Sequence, residues 1–181
     1  MALSQQKFRE IVFQILYSQD LGQPDEALMT ELMMAELAVS KKNVRSAQER
    51  VQLIRKRLPE IDPLIASVST SYDFDRIQTV TKNILRLAVF EMFFDDQIPP
   101  KVAIAEAIRL SRKFNTPESA SFVNALLDHL YQASLGGPVD PQQLAQLSQA
   151  LMQSEQIASD AAREQPLDKA EKDERKEGPP L

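Results

Sequence analysis

Residues 75–94 read DRIQTVTKNILRLAVFEMFF. Apolar side chains fall at Ile77, Val80, Ile84, Leu85, Leu87, Ala88, Val89, Phe90, Met92 and Phe93, a spread too broad for one stripe of a surface helix. The stretch therefore predicts a central helix from Asp75 to Phe94, buried on more than one side, with the remaining chain packed around it.

The flanking sequence keeps helical period. Before it, Phe8, Ile11, Val12 and Ile15 share one face of a helix over about Ser4 to Leu21, ended by Gly22. A second helix starts near Pro24-Asp25 and turns Leu28, Leu32 and Met33 inward. A third runs from about Ser40 to Leu58 with Val44, Ala47, Val51, Ile54 and Leu58 as a narrow seam, and Pro59 is expected to stop it. Asp62-Pro63 reads as an N-cap and first-turn proline for a short helix carrying Leu64, Ile65 and Val68. After the Pro99-Pro100 break, Lys101 to Phe114 resumes with Val102, Ala105 and Ile108 inward. Asn115-Thr116-Pro117-Glu118 then caps a helix with Phe122, Val123, Leu126, Leu127 and Leu130. Gly136-Gly137-Pro138 closes that region.

The fold class is all-α, in a domain over residues 1–135 with halves at about 1–58 and 59–135. Residues 136–155 form an extra helix from Asp140-Pro141, with Leu144, Leu147 and Leu151 at near-heptad spacing. From Gln156 the chain is too polar to offset its ordering entropy, so 156–181 is expected to be a disordered charged tail.

Composition removes much chemistry. There is no Cys and one His among 181 residues, so thiolate metal sites, Cys nucleophiles and disulfides are excluded. The four glycines sit at 22, 136, 137 and 178, and no Gly-rich phosphate loop exists. The N-terminus lacks a secretory apolar stretch and no run is long enough to span a bilayer, so the expectation is a cytoplasmic protein without membrane contact. No cofactor or metal is expected. Asp95-Asp96 reads as a solvated loop pair and Asp73 with Asp75 as helix-start caps, while His129 reads as a packing or rim histidine. No catalytic constellation emerges, so the chain is read as a non-enzyme.

The net charge of −5 is unevenly placed. From Glu155 onward eight acids face five bases, which puts −3 in the last part and leaves −2 for everything before it. Two regions offer cations to phosphates. Lys41 to Arg57 holds seven bases against Glu49 alone, with Lys41, Arg45 and Lys56 on one flank; a solvated helix surface is the reading favoured over a binding role. The other comprises Lys7, Arg9, Lys101, Arg112, Lys113 and the segment NTPESASFVN, which spacing alone does not join.

Three blocks join them. KFREIVFQILYSQDL, YDFDRIQTVTKNILRLAVFEM and IPPKVAIAEAIRLSRKFNTPESASFVNALLDHL resemble the NusB family of transcription antitermination factors from Lys7 to Tyr131. The resemblance implies two packed helical subdomains and pairing with NusE, a small-subunit ribosomal protein. It also implies binding to boxA-type RNA within an RNA polymerase antitermination complex. It implies RNA contacts at Lys7, Arg9, Lys101, Lys113, Glu118 and Phe122, the last equally readable as core, and NusE contacts at Asp75 and Lys82. The chain departs from the family pattern at Ser4-Gln5-Gln6, where relatives carry arginines, and at Ala105 and Ala125. The alternative function is a protein-interaction module of the transcription complex with weak RNA binding or none.

Overall fold

The computed structural model describes residues 3–22, 25–69, 73–137 and 141–164. In chain order the α-helices are α1 (Gln5–Asp20), α2 (Glu26–Leu37), α3 (Lys41–Val68), α4 (Thr79–Phe93), α5 (Pro100–Phe114), α6 (Pro117–Ser134) and α7 (Pro141–Glu164). One 3-10 turn, Phe74–Arg76, precedes α4. No strand occurs among the described residues.

Helix α4 is the hub and packs against α1, α3, α5 and α6. Its buried residues include Ile84, Leu85, Leu87, Ala88, Val89, Phe90 and Met92, which explains why its sequence carries no polar stripe. Short polar side chains set several helix starts. Ser4 Oγ accepts the Lys7 amide hydrogen at 3.2 Å, Asp25 accepts those of Ala27 and Leu28, and Thr116 Oγ1 accepts that of Ser119 at 3.2 Å. Gly22 leaves α1 with a left-handed φ of 76°, which favours a residue without Cβ.

Several local expectations are corrected. Pro59 does not stop α3, which runs through Pro59 and Pro63 to Val68, so the expected division at 58/59 falls inside one helix. Ile61 and Ile65 extend the buried stripe of Val44, Ala47, Val51 and Ile54. An interior proline costs about 3 kcal/mol, and burying each isoleucine returns about 1.5–3 kcal/mol. Asp62 adds to this from mid-helix. Rather than capping, it accepts two hydrogen bonds from Arg86, Nε at 2.8 Å and Nη2 at 2.7 Å. The central helix starts at Thr79, because Asp73 caps the 3-10 turn and Ile77 and Gln78 are extended.

On α5 the inward face is Ala103, Ile104, Ala107, Leu110 and Ser111, whereas Val102 and Ala105 are exposed and Ile108 is half-buried. The rotation follows from Glu106 and Arg109, which must face α1 to reach their ionic partners. On α2 only Met33 is buried, and Leu28 and Leu32 point outward. Helix α7 lays Leu144 and Leu151 into the core against α6 and continues past Gln156 to Glu164, with side chains 156–161 exposed. The expected tail over 165–181, and the Pro24, Pro138 and Asp140 of the expected turns and caps, lie outside the described residues.

Candidate nucleic-acid interface

A buried ionic seam fixes α1 against α4 and α5. Arg9 Nε donates to both Glu91 oxygens at 2.9 Å, with side-chain exposures of 7% and 6%, and Arg9 Nη1 lies 3.6 Å from Glu106 Oε2. Burial pushes the Glu91 carboxyl above the usual carboxylate range, and the charge and hydrogen bonds of Arg9 only partly offset it. The next residue, Glu10, accepts from Arg109 Nη1 at 2.7 Å and from Lys113 Nζ at 2.8 Å. Burial raises the Glu10 carboxyl, but its bonds to Lys113 and Arg109 outweigh that and hold it below the ordinary value. Arg109 Nη2 also donates to the Gln6 carbonyl at 3.1 Å, which ties the first turn of α1 to α5.

This seam assembles a face from α1, the C-terminal end of α5 and the start of α6. Lys7 is half-buried one turn before Glu10, and the Lys113 side chain is 49% exposed. The Phe13 ring lies 5.0 Å from Phe114 and 6.1 Å from Tyr17, and both outer rings are half-buried. Asn115 Nδ2 donates to Thr81 Oγ1 at 2.9 Å, which links this corner to α4, and Glu118 is exposed in the first turn of α6. The Lys113–Glu10 pair and the Phe13–Phe114 contact thus bring a cation and two half-buried rings together where α1 meets the end of α5.

Two expected contact residues take other roles. Phe122 is fully buried in α6 and has no face on which a base can stack. Arg9 is spent on Glu91 and holds α1 in place. Lys101 is exposed, but it stands at the other end of α5, about 18 Å from Lys113 along the axis. Tyr17 and Phe114 are half-buried and keep part of each ring accessible, as Phe8 on α1 does. Their signal in the sequence was Tyr17 spaced four residues from Phe13 beside polar Gln14, and Phe114 next to Lys113.

Asp75 is exposed in the 3-10 turn and Lys82 is half-buried on the first turn of α4, its Nζ 4.7 Å from the Phe74 ring centroid. His129 is buried on α6. Asp95 is more than a solvated loop acid: it pairs with Arg50 and accepts the Gln97 amide hydrogen at 3.1 Å. Burial raises its carboxyl, but these bonds win and leave it below the usual range. On α3, Lys41, Lys42, Arg45 and Lys56 are exposed and form no ion pair among the described residues, whereas Arg55 approaches Asp20 at 3.9 Å and Arg57 pairs with Glu60 at 2.7 Å. No described helix is long and apolar enough to cross a membrane.

Residues 6–132 match the NusB family model. The chain belongs to the NusB family. It is 38% identical over 130 residues to the transcription antitermination protein NusB of Chlamydia pneumoniae, covering 72% of this chain and 81% of that one. It is 35% identical over 137 residues to the NusB of Desulfosudis oleivorans, covering 74% and 88%. Among solved structures, T. maritima NusB superposes with a TM-score of 0.62 at 28% identity, covering 73% of this chain and 93% of that chain. A chain in a crystal structure of a plectonemic RNA supercoil gives 0.63 at 25% identity, covering 74% and 97%. NusB proteins are transcription antitermination factors rather than a known family of enzymes. The matched segment runs from α1 into α6 of this NusB-family chain, and α7 lies beyond it.

Proposed function

We propose that this NusB-family chain binds boxA-type single-stranded RNA on the face formed by α1, the end of α5 and the start of α6. In this reading it pairs with NusE and works in the RNA polymerase antitermination complex. The carrying observation is that the Lys113–Glu10 pair and the Phe13–Phe114 contact bring the end of α5, with its cation and ring, against α1 and Tyr17 in a NusB-family chain; Lys7 and Glu118 are assigned to the same face in this reading. Cations there meet phosphates, exposed ring edges stack with unpaired bases, and Glu118 accepts from base or ribose donors. Lys101 extends the path along α5 toward the Pro99-Pro100 turn. The related fold solved with an RNA supercoil supports an RNA ligand. Asp75 and Lys82 beside Phe74 offer NusE a small surface of mixed charge.

The test is a filter-binding titration of boxA RNA at two salt concentrations, with and without NusE. Wild-type binding is expected, with a salt slope reduced by about 1.4 in the Lys7→Ala/Lys113→Ala variant for two lost phosphate contacts. No RNA binding under any of these conditions overturns the reading. The other reading is a protein-interaction module. It draws on Ser4-Gln5-Gln6 being uncharged and Arg9 being buried, which leaves Lys7 as the accessible cation of early α1. NusE capture without RNA binding would favour it.

A further inference from the structure

A cleft of about 480 Å³ lies between the C-terminal turn of α1, the start of α2 and the middle of α3. Its α1 wall is Ile15, Ser18 and Gln19, and its α3 wall is Gln48, Gln52, Arg55 and Lys56. The Gln19 side chain is half-buried in the α1 wall, and its Oε1 atom has neither a hydrogen-bond partner nor exposed surface, so it meets a ligand only when the amide turns toward the cleft. Asp25 and Glu26 form the α2 wall, and the Asp25 carboxylate is engaged by the Ala27 and Leu28 amides. The interior is therefore amide-rich with mixed charge, which suits a neutral base better than a phosphate.

The phosphates have a place just outside it. At 100° per residue, Lys41, Arg45, Gln52 and Lys56 fall within about 60° of one another on α3, beside the cleft and over about 22 Å of helix axis. Lys41, Arg45 and Lys56 are exposed and have no ion pair among the described residues; Glu49 and Lys42 flank them. The last turn of α1 separates this region from the face described above: Tyr17 looks toward Phe13 on one side, while Ser18 and Gln19 line the cleft on the other. A strand passing Tyr17 needs only to cross one helix width, about 10 Å, to reach it.

We propose that the cleft and the α3 stripe form a second RNA site, which takes a single-stranded extension of the RNA held at the first face. One unstacked base enters the cleft and donates its exocyclic amine to Gln19 Oε1, the amide turning to meet it, and the adjoining phosphates lie along Lys56, Arg45 and Lys41. This rests on the RNA-binding reading above and extends it to a longer ligand.

The experiment compares boxA RNA alone with the same RNA extended at either end by roughly eight nucleotides of oligo(A), oligo(C) or oligo(U). An extension at one end is expected to tighten binding. The Lys41→Ala/Arg45→Ala/Lys56→Ala variant loses that gain and about 2 in salt slope, while its affinity for unextended RNA is unchanged. Adenine and cytosine carry the exocyclic amine and uracil does not, so the wild type prefers A or C extensions by about fivefold, and Gln19→Leu removes the preference but keeps the salt slope. Matching thermal melts confirm that these variants fold. If unextended RNA binds but extension adds nothing, if the triple variant keeps the gain, or if base identity has no effect, the second site is wrong and the first face stands. If unextended RNA does not bind, the earlier reading fails, and a gain that depends on α3 still supports this site.

Discussion

Replacing Arg9 with Met removes a guanidinium and keeps most of the side-chain volume, and the result separates a positioning residue from an RNA contact. Arg9 and Glu91 are 7% and 6% exposed at their side chains and joined by two hydrogen bonds of 2.9 Å, so solvent cannot take over when one partner goes. Removing one member of such a pair costs about 3–5 kcal/mol. For a domain of this size, where 1 kcal/mol moves the melting point by about 2–4 °C, a fall of roughly 10 °C is expected. The loss depends on pH. The Glu91 carboxyl already sits above its ordinary value, so the folded state holds a proton that the unfolded state releases, and stability falls as pH rises from about 4.5 through the folded pKa. Without Arg9 that pKa climbs further, and the gap between wild type and variant widens from pH 5 to pH 8. Urea melts followed by circular dichroism at both pH values measure it, and Arg9→Met/Glu91→Met recovers most of the loss because no charge remains buried. A loss under about 1 kcal/mol, or an RNA salt slope lowered by about 0.7 with stability intact, would refute the reasoning and make Arg9 a phosphate contact.

Phe122→Ala should cost about 3–5 kcal/mol by cavity formation, and the fraction that stays folded should bind RNA with the wild-type salt slope. Pro59→Ala should stabilise the chain by about 1–3 kcal/mol in urea melts, since the proline is exposed inside α3 and the new amide can bond the Arg55 carbonyl; a destabilised variant would contradict the continuous helix. Glu10 has a lowered folded pKa, so its contribution is present above pH 4.5 and is lost as pH falls below that; Lys113→Ala should flatten this acid limb of the stability curve. Leu151→Ala should cost about 2–5 kcal/mol and speed hydrogen exchange across α7 before α6, if α7 is held by that side chain.

Much of the fold was legible because periodicity reports burial directly. The seam of α3, the inner face of α6 and the all-round apolar α4 follow from side-chain spacing, and Ser4 and Thr116 announce their helix starts through short-range hydrogen bonds. The misreadings share one cause. Pro59, Val102, Leu28 and Leu32 were judged by local rules, whereas their positions answer to distant groups: Arg86 on Asp62, Arg9 and Glu10 on Glu106 and Arg109, and a shallow α2 contact.

The candidate site divides in the same way. Lys7, Lys113 and Glu118 were visible through the family blocks, and nothing local contradicts their exposure. Arg9 and Phe122 were visible too, yet a cation and an aromatic ring look alike in sequence whether they face phosphate or carboxylate, base or core. Tyr17 and Phe114 were passed over because their partial exposure depends on which rings pack beside them.

By itself the sequence determined the helical class, the order of the main helices and the family, since each depends on composition or on contacts within a few residues. Only the tertiary structure decided which cations are free, because Arg9, Arg50, Arg86 and Arg109 find their acids 45 to 99 positions away or on neighbouring helices. That allocation is a matter of three-dimensional distance and dielectric: it ties the exposed Lys113 to Glu10 and leaves Lys7, Lys101, Arg112 and the α3 stripe without an ion pair among the described residues.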